Sequence, residues 1–239
     1  MSDDTPNYAA FDPTVGIEYN ISGNSRIAIN YGWRHQYLHR VGFSDIGLPT
    51  EFWIHSNYGR KPQYTQGVVA MYETGLFNNR YNLTVEFYYK RLYNQIEYKG
   101  NVLDFLNKEY TLESQLLKGK GRNYGMNIML SKQTGRLTGW ASYSLGRALR
   151  TFDSHIANGT FPASHERIHE ANMLITYHIN DKWDIGGTLI AASGTPFTAP
   201  KTFYLVAGSI VTEYGEHNGN RLSPYIRFDL SANYYIIND

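Results

Sequence analysis

The amino-acid sequence predicts an all-β protein built from antiparallel strands of a transmembrane β-barrel. Three features of the 239-residue chain support this fold class. Apolar and polar residues alternate along most of the chain, as in strands that have one apolar and one wet face. The connections between the alternating segments are short and long in turn, which is typical of barrels that span a membrane. Many segments also exceed the ~9–11 residues that a tilted strand needs to cross a bilayer.

The alternation predicts nine strands. It is clear over 26–37, 81–94, 122–133, 137–149, 169–179 and 225–236, and weaker over 13–20, 64–76 and 183–193. In the segment 81–94, for example, Leu83, Val85 and Phe87 alternate with polar residues. Successive side chains of a strand point to opposite faces, so each strand has an apolar face and a polar face. No segment has a convincing helical periodicity.

Short and long connections follow each other along the chain. Tight turns are predicted at 22–25, 77–80, 134–136 and 180–182, and long connections at 41–63, 95–121, 152–168 and 194–224. In transmembrane barrels the hairpins are short at one end and long at the other. Tyr and Trp near the strand ends, such as Trp33, Tyr93 and Trp183, are typical of a membrane interface.

A soluble β-sandwich is the main alternative to the barrel. Alternation alone fits both, because the apolar faces of two stacked sheets can cover each other instead of contacting lipid. The strand lengths, the rhythm of the connections and the aromatic strand ends favour the barrel.

Composition excludes several functional classes. The chain has 22 basic and 21 acidic residues, so no charge imbalance attracts nucleic acid. It has no cysteine, which excludes disulfides, thiolate zinc sites and cysteine nucleophiles. No stretch approaches the ~18 uninterrupted apolar residues of a membrane helix.

The segment HERIH at 165–169 fits the H-E-x-x-H signature of zinc proteases. On a helix, His165 and His169 would bind one zinc ion and Glu166 would act as general base. Pro162 lies just upstream, however, and strand-like alternation follows the second histidine. On a strand the two histidines would be ~13 Å apart, too far to share one ion. We therefore predict no catalytic, cofactor or metal residues in the chain.

The glycine-rich segment GKGRNYG at 119–125 has a structural explanation. It lacks the Lys-Ser/Thr ending of a P-loop and leads into a strand, so phosphate binding is not expected. Its glycines are expected to allow turn conformations that other residues resist.

Four segments in order resemble the C-terminal half of the barrel of TonB-dependent outer-membrane receptors, in the form common in Bacteroidota. They are FDPTVGIEYNISGNSRIAINYGWRHQ (11–36), YNLTVEFYYKRLYNQIEY (81–98), GKGRNYGMNIMLSKQTGRLTGWASYSLGRALRTF (119–152) and SGTPFTAP (193–200). The resemblance covers nearly the whole chain. Glu166, Arg167 and His169 also resemble the end of a loop in this family, although Glu replaces the more usual Asp and Ile168 replaces a polar residue.

The resemblance implies that residues 1–239 form a single domain, which is one part of a ~22-stranded barrel. The plug, the first half of the barrel and the last strands would lie outside this chain. The parent protein would import a nutrient, of the siderophore, oligosaccharide or peptide class, across the outer membrane of a Gram-negative bacterium. The implied partners are the TonB–ExbB–ExbD system, acting through the missing plug, and outer-membrane lipid; a surface lipoprotein over the mouth is left open. The alternatives are a passive porin or structural barrel, and the soluble sandwich as a binding module.

The predicted outer loop 47–63 contains the candidate substrate-binding residues Trp53, His55, Tyr58 and Arg60. Aromatic and basic groups suit a ligand mouth, because they stack on ligands and donate charge-assisted hydrogen bonds. Alternatively, they belong to the aromatic belt of the membrane interface and its charged rim. Five charged residues are expected to point inward, to the lumen or a plug: Arg34, Glu86, Lys90, Arg227 and Asp229.

Overall fold

The structure is a computed structural model that describes residues 8–41, 52–57, 59–98, 116–152, 159–206 and 209–236. In chain order its strands are β1 (Thr14–Ser22), β2 (Ser25–Gln36), β3 (Leu38–Val41), β4 (Phe52–His55), β5 (Gln63–Leu76), β6 (Tyr81–Tyr98), β7 (Leu116–Lys132), β8 (Leu137–Phe152), β9 (Gly159–Pro162), β10 (His169–Asn180), β11 (Trp183–Ala192), β12 (Pro196–Phe197), β13 (Pro200–Val206), β14 (Ser209–Tyr214), β15 (Asn220–Arg221) and β16 (Tyr225–Tyr234). Over these ranges, no helix could cross a membrane.

One antiparallel sheet contains all nine predicted strands. Its order is β1-β2-β5-β6-β7-β8-β10-β11-β16, and the short strand β9 pairs with β8 as a tenth member. Each long strand therefore pairs with the next long strand along the chain. This confirms the predicted all-β, antiparallel fold class.

The long connections contain short strands that the sequence analysis assigned to loops. The strand pairs β3–β4, β13–β14 and β12–β15 form three separate two-stranded sheets. The predicted connection 95–121 is also too long, since β6 continues to Tyr98 and β7 already begins at Leu116. The start of β7 contains two lysines and two glycines, so apolar alternation does not reveal it.

The register places the apolar positions of neighbouring strands on the same side of the sheet. One row across it consists of Ile29, Ala70, Phe87, Met126 and Leu145, each paired with the next. The adjacent row consists of Asn30, Val69, Tyr88, Gly125 and Gly146. Directly paired residues of antiparallel strands point the same way. We call the side with Phe87 the apolar face and the side with Asn30 the polar face.

The apolar face remains uncovered along much of the sheet. Ile17, Phe228 and Leu230 are 74%, 59% and 71% exposed. The chain exposes 16552 Å² in total, whereas a globule of 27.4 kDa exposes about 11,000 Å². In the described part of the chain no second sheet packs on this face, so the two-layer core of a soluble sandwich is not formed.

The glycines of the GKGRNYG segment do not form a turn, so that expectation is wrong. Gly119, Gly121 and Gly125 lie within β7, and none of them has a positive φ. A Cβ on Gly125 would lie 2.4 Å from the backbone oxygen of Leu145 and 2.7 Å from the hydroxyl of Tyr88. This glycine instead allows close approach of strand β8 and of the Tyr88 side chain on the polar face.

Candidate functional site

The polar face contains a recess of about 650 Å³ formed by β1, β2, β5, β6 and β7. Arg34 and Lys90, two of the residues expected to point inward, are in its lining. Amide side chains complete much of it: Asn30, Gln36, Gln63, Gln95 and Asn123. Gly67 leaves room for the lysine stem, because a Cβ there would lie 3.0 Å from its Cγ.

The recess is cationic and rich in hydrogen-bonding groups. Among its described lining residues there are two permanently basic side chains, Arg34 and Lys90, and no carboxylate. The Nζ of Lys90 lies 5.4 Å from the centroid of the Tyr88 ring, within the range of a cation–π contact. Arginine and lysine bind anionic oxygens through charge-assisted hydrogen bonds, and amides both donate and accept. The lining therefore suits a ligand with anionic oxygens.

The other residues expected to point inward also lie on the polar face, but outside this recess. Glu86 accepts a hydrogen bond from the amide of Asn127 at 2.9 Å. Arg227 donates from Nε to Asp229 at 2.8 Å. These groups neutralise or satisfy each other, as a wet interior requires.

Of the four candidate residues of the predicted outer loop, the structure describes Trp53, His55 and Arg60. Trp53 on β4 is 63% exposed, whereas Arg60 is only 6% exposed. Arg60 donates from Nε to the backbone oxygen of His55 at 3.2 Å, so this guanidinium stabilises its own loop. Tyr58 lies outside the described residues. Ligand binding by these four residues stays a prediction.

A buried histidine lies inside the β3–β4 hairpin. His39 is 1% exposed, and its Nε2 is 2.9 Å from the hydroxyl of Ser56. Its Nδ1 has no hydrogen-bond partner in the described part of the chain. Burial, and to a smaller extent the charge of Arg60, lower the pKa of His39 below 6.5. The hairpin therefore contains a neutral imidazole at neutral pH.

The HERIH segment is the end of a connection and the first residue of a strand. Residues 164–165 form a turn and β10 begins at His169, so the helix that a zinc protease requires is not formed. The Nδ1 of His169 is 2.7 Å from the hydroxyl of Tyr143. No group of three potential metal-ligating side chains occurs among the residues that the structure describes.

Glu166, in the middle of that segment, connects strand β8, strand β15 and, through Arg221, the backbone at Gly194. Its side chain is 1% exposed and accepts hydrogen bonds from Nε of Arg147 at 3.1 Å and from the backbone N–H of Ala148 at 2.7 Å. It also pairs with Arg221, which donates from Nη1 to the backbone oxygen of Gly194 at 3.1 Å. The family resemblance predicts Glu166 at the end of a loop and does not predict these contacts. The only feature of the sequence that points to Glu166 is its acidic side chain just before a strand. Its two arginine partners are distant in sequence, so the contacts cannot be predicted from spacing.

The described residues form one long antiparallel sheet with an uncovered apolar face and a polar face that contains a recess. No protein-family model and no curated protein sequence matches the chain. Solved structures do match it. The chain is similar to the ferric-catecholate import receptor Fiu of E. coli K12 in its closed form, with 17% identity and a TM-score of 0.59, over 94% of this chain and 28% of that chain.

Two further structures give the same result. The ferripyoverdine receptor of the outer membrane of Pseudomonas aeruginosa, bound to ferripyoverdine, is 14% identical with a TM-score of 0.61, over 95% of this chain and 27% of that chain. The FpvAI–pyocin S2 complex is 15% identical with a TM-score of 0.60, over 95% of this chain and 28% of that chain. The chain thus spans little more than a quarter of these receptors. The likeness shows the fold, and the proteins in these three structures are receptors rather than enzymes.

Proposed function

We propose that the chain forms part of the barrel wall of a TonB-dependent receptor that imports a nutrient across the outer membrane of a Gram-negative bacterium. The observation that supports this proposal most strongly is the cationic recess on the polar face of a sheet whose other face is apolar and uncovered. In this proposal the apolar face contacts lipid and the polar face lines the lumen. The end with the long connections, including β3–β4 and β13–β14, is the outer mouth.

The proposal includes further strands, a plug and an energy-coupling partner outside this chain. In the described sheet, β1 pairs only with β2, and β16 only with β11. Open edges within hydrocarbon would leave backbone groups without hydrogen bonds, so a barrel needs additional strands there. The share of the receptor chains that is covered, 28% and 27%, agrees with a partial barrel. Transport would be driven by TonB–ExbB–ExbD acting on the plug; the Bacteroidota type and the C-terminal position belong to the same proposal.

The recess indicates what kind of nutrient the receptor would accept. Arg34 and Lys90 favour a substrate with carboxylate, phosphate or catecholate oxygens. Siderophores, acidic oligosaccharides and peptides all carry such groups. The amide side chains add neutral hydrogen bonds that all three classes can use.

The test is energised uptake by the intact receptor and a variant of the recess. With Arg34→Gln/Lys90→Gln, we expect uptake to need roughly 10- to 100-fold more substrate for the half-maximal rate, because two charge-assisted hydrogen bonds become neutral ones, at a cost of about 1 kcal/mol each. The matched control, Arg136→Gln/Lys182→Gln, removes two charges from the short turns at the other end. The probes are a ferric catecholate and ferripyoverdine that contain radioactive iron, a labelled acidic oligosaccharide and a labelled acidic peptide.

The energy source separates active transport from a passive porin. We expect uptake to stop when a protonophore collapses the proton gradient, because TonB coupling depends on that gradient. Uptake that continues at an unchanged rate would contradict the proposal and favour the porin. Equal uptake by the recess variant and its control would mean that Arg34 and Lys90 do not bind the substrate.

A further inference from the structure

Four exposed basic side chains form a patch at the outer rim of the apolar face. Arg91 on β6 is directly paired with Arg122 on β7, and Lys120 and Lys118 follow on the same side of β7. All four side chains are exposed. We call these four residues the rim patch.

Arg91 and Arg122 are two positive charges at directly paired positions, and the Arg91 guanidinium lies 5.8 Å from the centroid of the Tyr89 ring. Like charges directly opposite each other in antiparallel strands destabilise the sheet. No acidic residue of β6, β7 or β8 lies on the apolar face in the described sheet; Glu86 and Glu97 are both on the polar face. The rim patch therefore has no carboxylate of its own strands to neutralise it.

Other arginines of the sheet do have acidic partners. Arg26 pairs with Glu73 at 2.7 Å and with Glu18 at 3.2 Å. Arg147, on the same face as the rim patch, pairs with Glu166 at 3.1 Å. By contrast, no ion pair joins any of the four rim-patch residues to a carboxylate in the part of the sheet that the structure describes, so the patch can accept an anionic partner.

The height of the rim patch on the strands matches the headgroup layer of a membrane. Arg91 lies on the apolar face between Tyr89 and Tyr93, and Arg122 lies two residues beyond Tyr124. Tyrosine at this level marks the boundary between hydrocarbon and water. Lys120 and Lys118 lie about 7 and 13 Å farther along the strand, at ~3.3 Å per residue.

A second recess, of about 460 Å³, adjoins the rim patch on the same side. It is lined by Lys118 and Lys120, together with Lys61 and the rings of Tyr64 and Tyr93. The two tyrosine rings stack with centroids 4.5 Å apart. Basic groups beside a flat aromatic surface suit a phosphorylated sugar headgroup, which offers both anionic oxygens and a ring.

We propose that the rim patch binds the phosphate groups of glycolipid headgroups in the outer leaflet that surrounds the barrel. Each arginine can donate two parallel hydrogen bonds to a phosphate, and the lysines add point charges. Basic side chains near an anionic membrane surface are attracted to it in proportion to their number. This inference rests on the proposed membrane location, but not on the transported substrate or its energy source.

The test measures lipid retention by the intact receptor in nanodiscs of neutral phosphatidylcholine that contain bisphosphorylated lipid A. Arg91→Gln/Lys120→Gln/Arg122→Gln is compared with the control Arg80→Gln/Arg136→Gln/Lys182→Gln, which removes three charges at the opposite strand ends. Native mass spectrometry counts the lipid A molecules that stay bound. We expect roughly a tenfold or greater loss of retention for the rim variant alone. Heat-modifiable gel mobility checks that each variant is folded.

Two further samples test whether the rim patch recognises the phosphate groups of the lipid. Lipid A without its phosphates should be retained equally weakly by all variants. The charge-preserving variant Arg91→Lys/Arg122→Lys should retain more phosphorylated lipid than the rim variant and less than the unchanged receptor, because lysine keeps the charge and loses the bidentate hydrogen bonds. Equal retention by rim variant and control, or no preference for phosphorylated lipid, would overturn the proposal. Failure of the unchanged receptor to enter nanodiscs would overturn the membrane location itself.

Discussion

At the scale of single residues, burial separates the side chains that stabilise the loops from those available to a ligand. Arg60 and Trp53 are both in the predicted binding loop, but only the tryptophan is exposed. Arg60 instead donates to the backbone of its own loop. Sequence identifies the residue types that could bind a ligand, but it does not show which of them the loop uses internally. The same holds for Glu166, whose arginine partners are 19 and 55 residues away.

The buried His39 makes the β3–β4 hairpin sensitive to pH. Its folded-state pKa is lowered below 6.5 by burial. Below a pH of about 6.5, His39 binds a proton in the open hairpin but stays neutral in the closed hairpin. The free energy that favours the closed hairpin therefore falls with pH, until the pH is below the pKa of His39 in the closed hairpin as well. We expect the amide of Ser56, which donates to the backbone oxygen of Tyr37, to exchange several-fold faster at low pH. Hydrogen exchange, corrected for its intrinsic pH dependence, measures this.

The control for that experiment is His39→Gln, which cannot change charge. Its Ser56 amide should show the same protection across the pH range. An equal fall of protection in this variant would mean that another group controls the hairpin.

At the scale of elements, the long strands are predictable because each has two chemically different faces over many residues. The nine alternating segments correspond to the nine strands along the path of the main sheet. The short strands in the connections are not predictable in this way, since β12 and β15 have two residues each and too few positions for a period. The lysine and glycine residues at the start of β7 have no apolar alternation, and they form a strand because β6 and β8 supply backbone partners.

The paired glycines of β7 and β8 provide a test of packing on the polar face. A Cβ at Gly146 would lie 2.5 Å from the hydroxyl of Tyr88 and 3.7 Å from its Cζ. We expect Gly146→Ala to destabilise the intact receptor by about 1–3 kcal/mol through overpacking. Adding Tyr88→Phe should restore most of this loss, because it removes the clashing oxygen. Urea unfolding in lipid vesicles gives the comparison.

Gly125→Ala is the matched control for this pair. Its Cβ would meet the backbone oxygen of Leu145 at 2.4 Å as well as the tyrosine hydroxyl. Tyr88→Phe should therefore fail to rescue it. If both alanine variants were rescued equally, or neither were destabilising, the packing argument would be wrong.

At the scale of the whole molecule, the strands of the main sheet form one layer, and no second layer packs on it in the part of the chain that the structure describes. Its long strands have an apolar face whose side chains stay exposed, which in water would be a large unfavourable surface. In the proposed barrel, contact with lipid would remove this cost, and the polar face would line a water-filled lumen. The sequence predicts these two environments from alternation and strand length. It could not predict the recess at Arg34 and Lys90, because five strands contribute to its lining and their register is required to bring them together.

The most direct test of this arrangement is the accessibility of spin labels on the intact receptor in lipid vesicles. Labels at Val85, Ile128 and Ile175 should collide readily with oxygen and be shielded from an aqueous nickel chelate. Labels one position away, at Thr84, Asn127 and Thr176, should show the reverse, because neighbouring residues of a strand point to opposite faces. Shielding of the first three labels from both reagents, as in a core between packed layers, would contradict the membrane-spanning sheet.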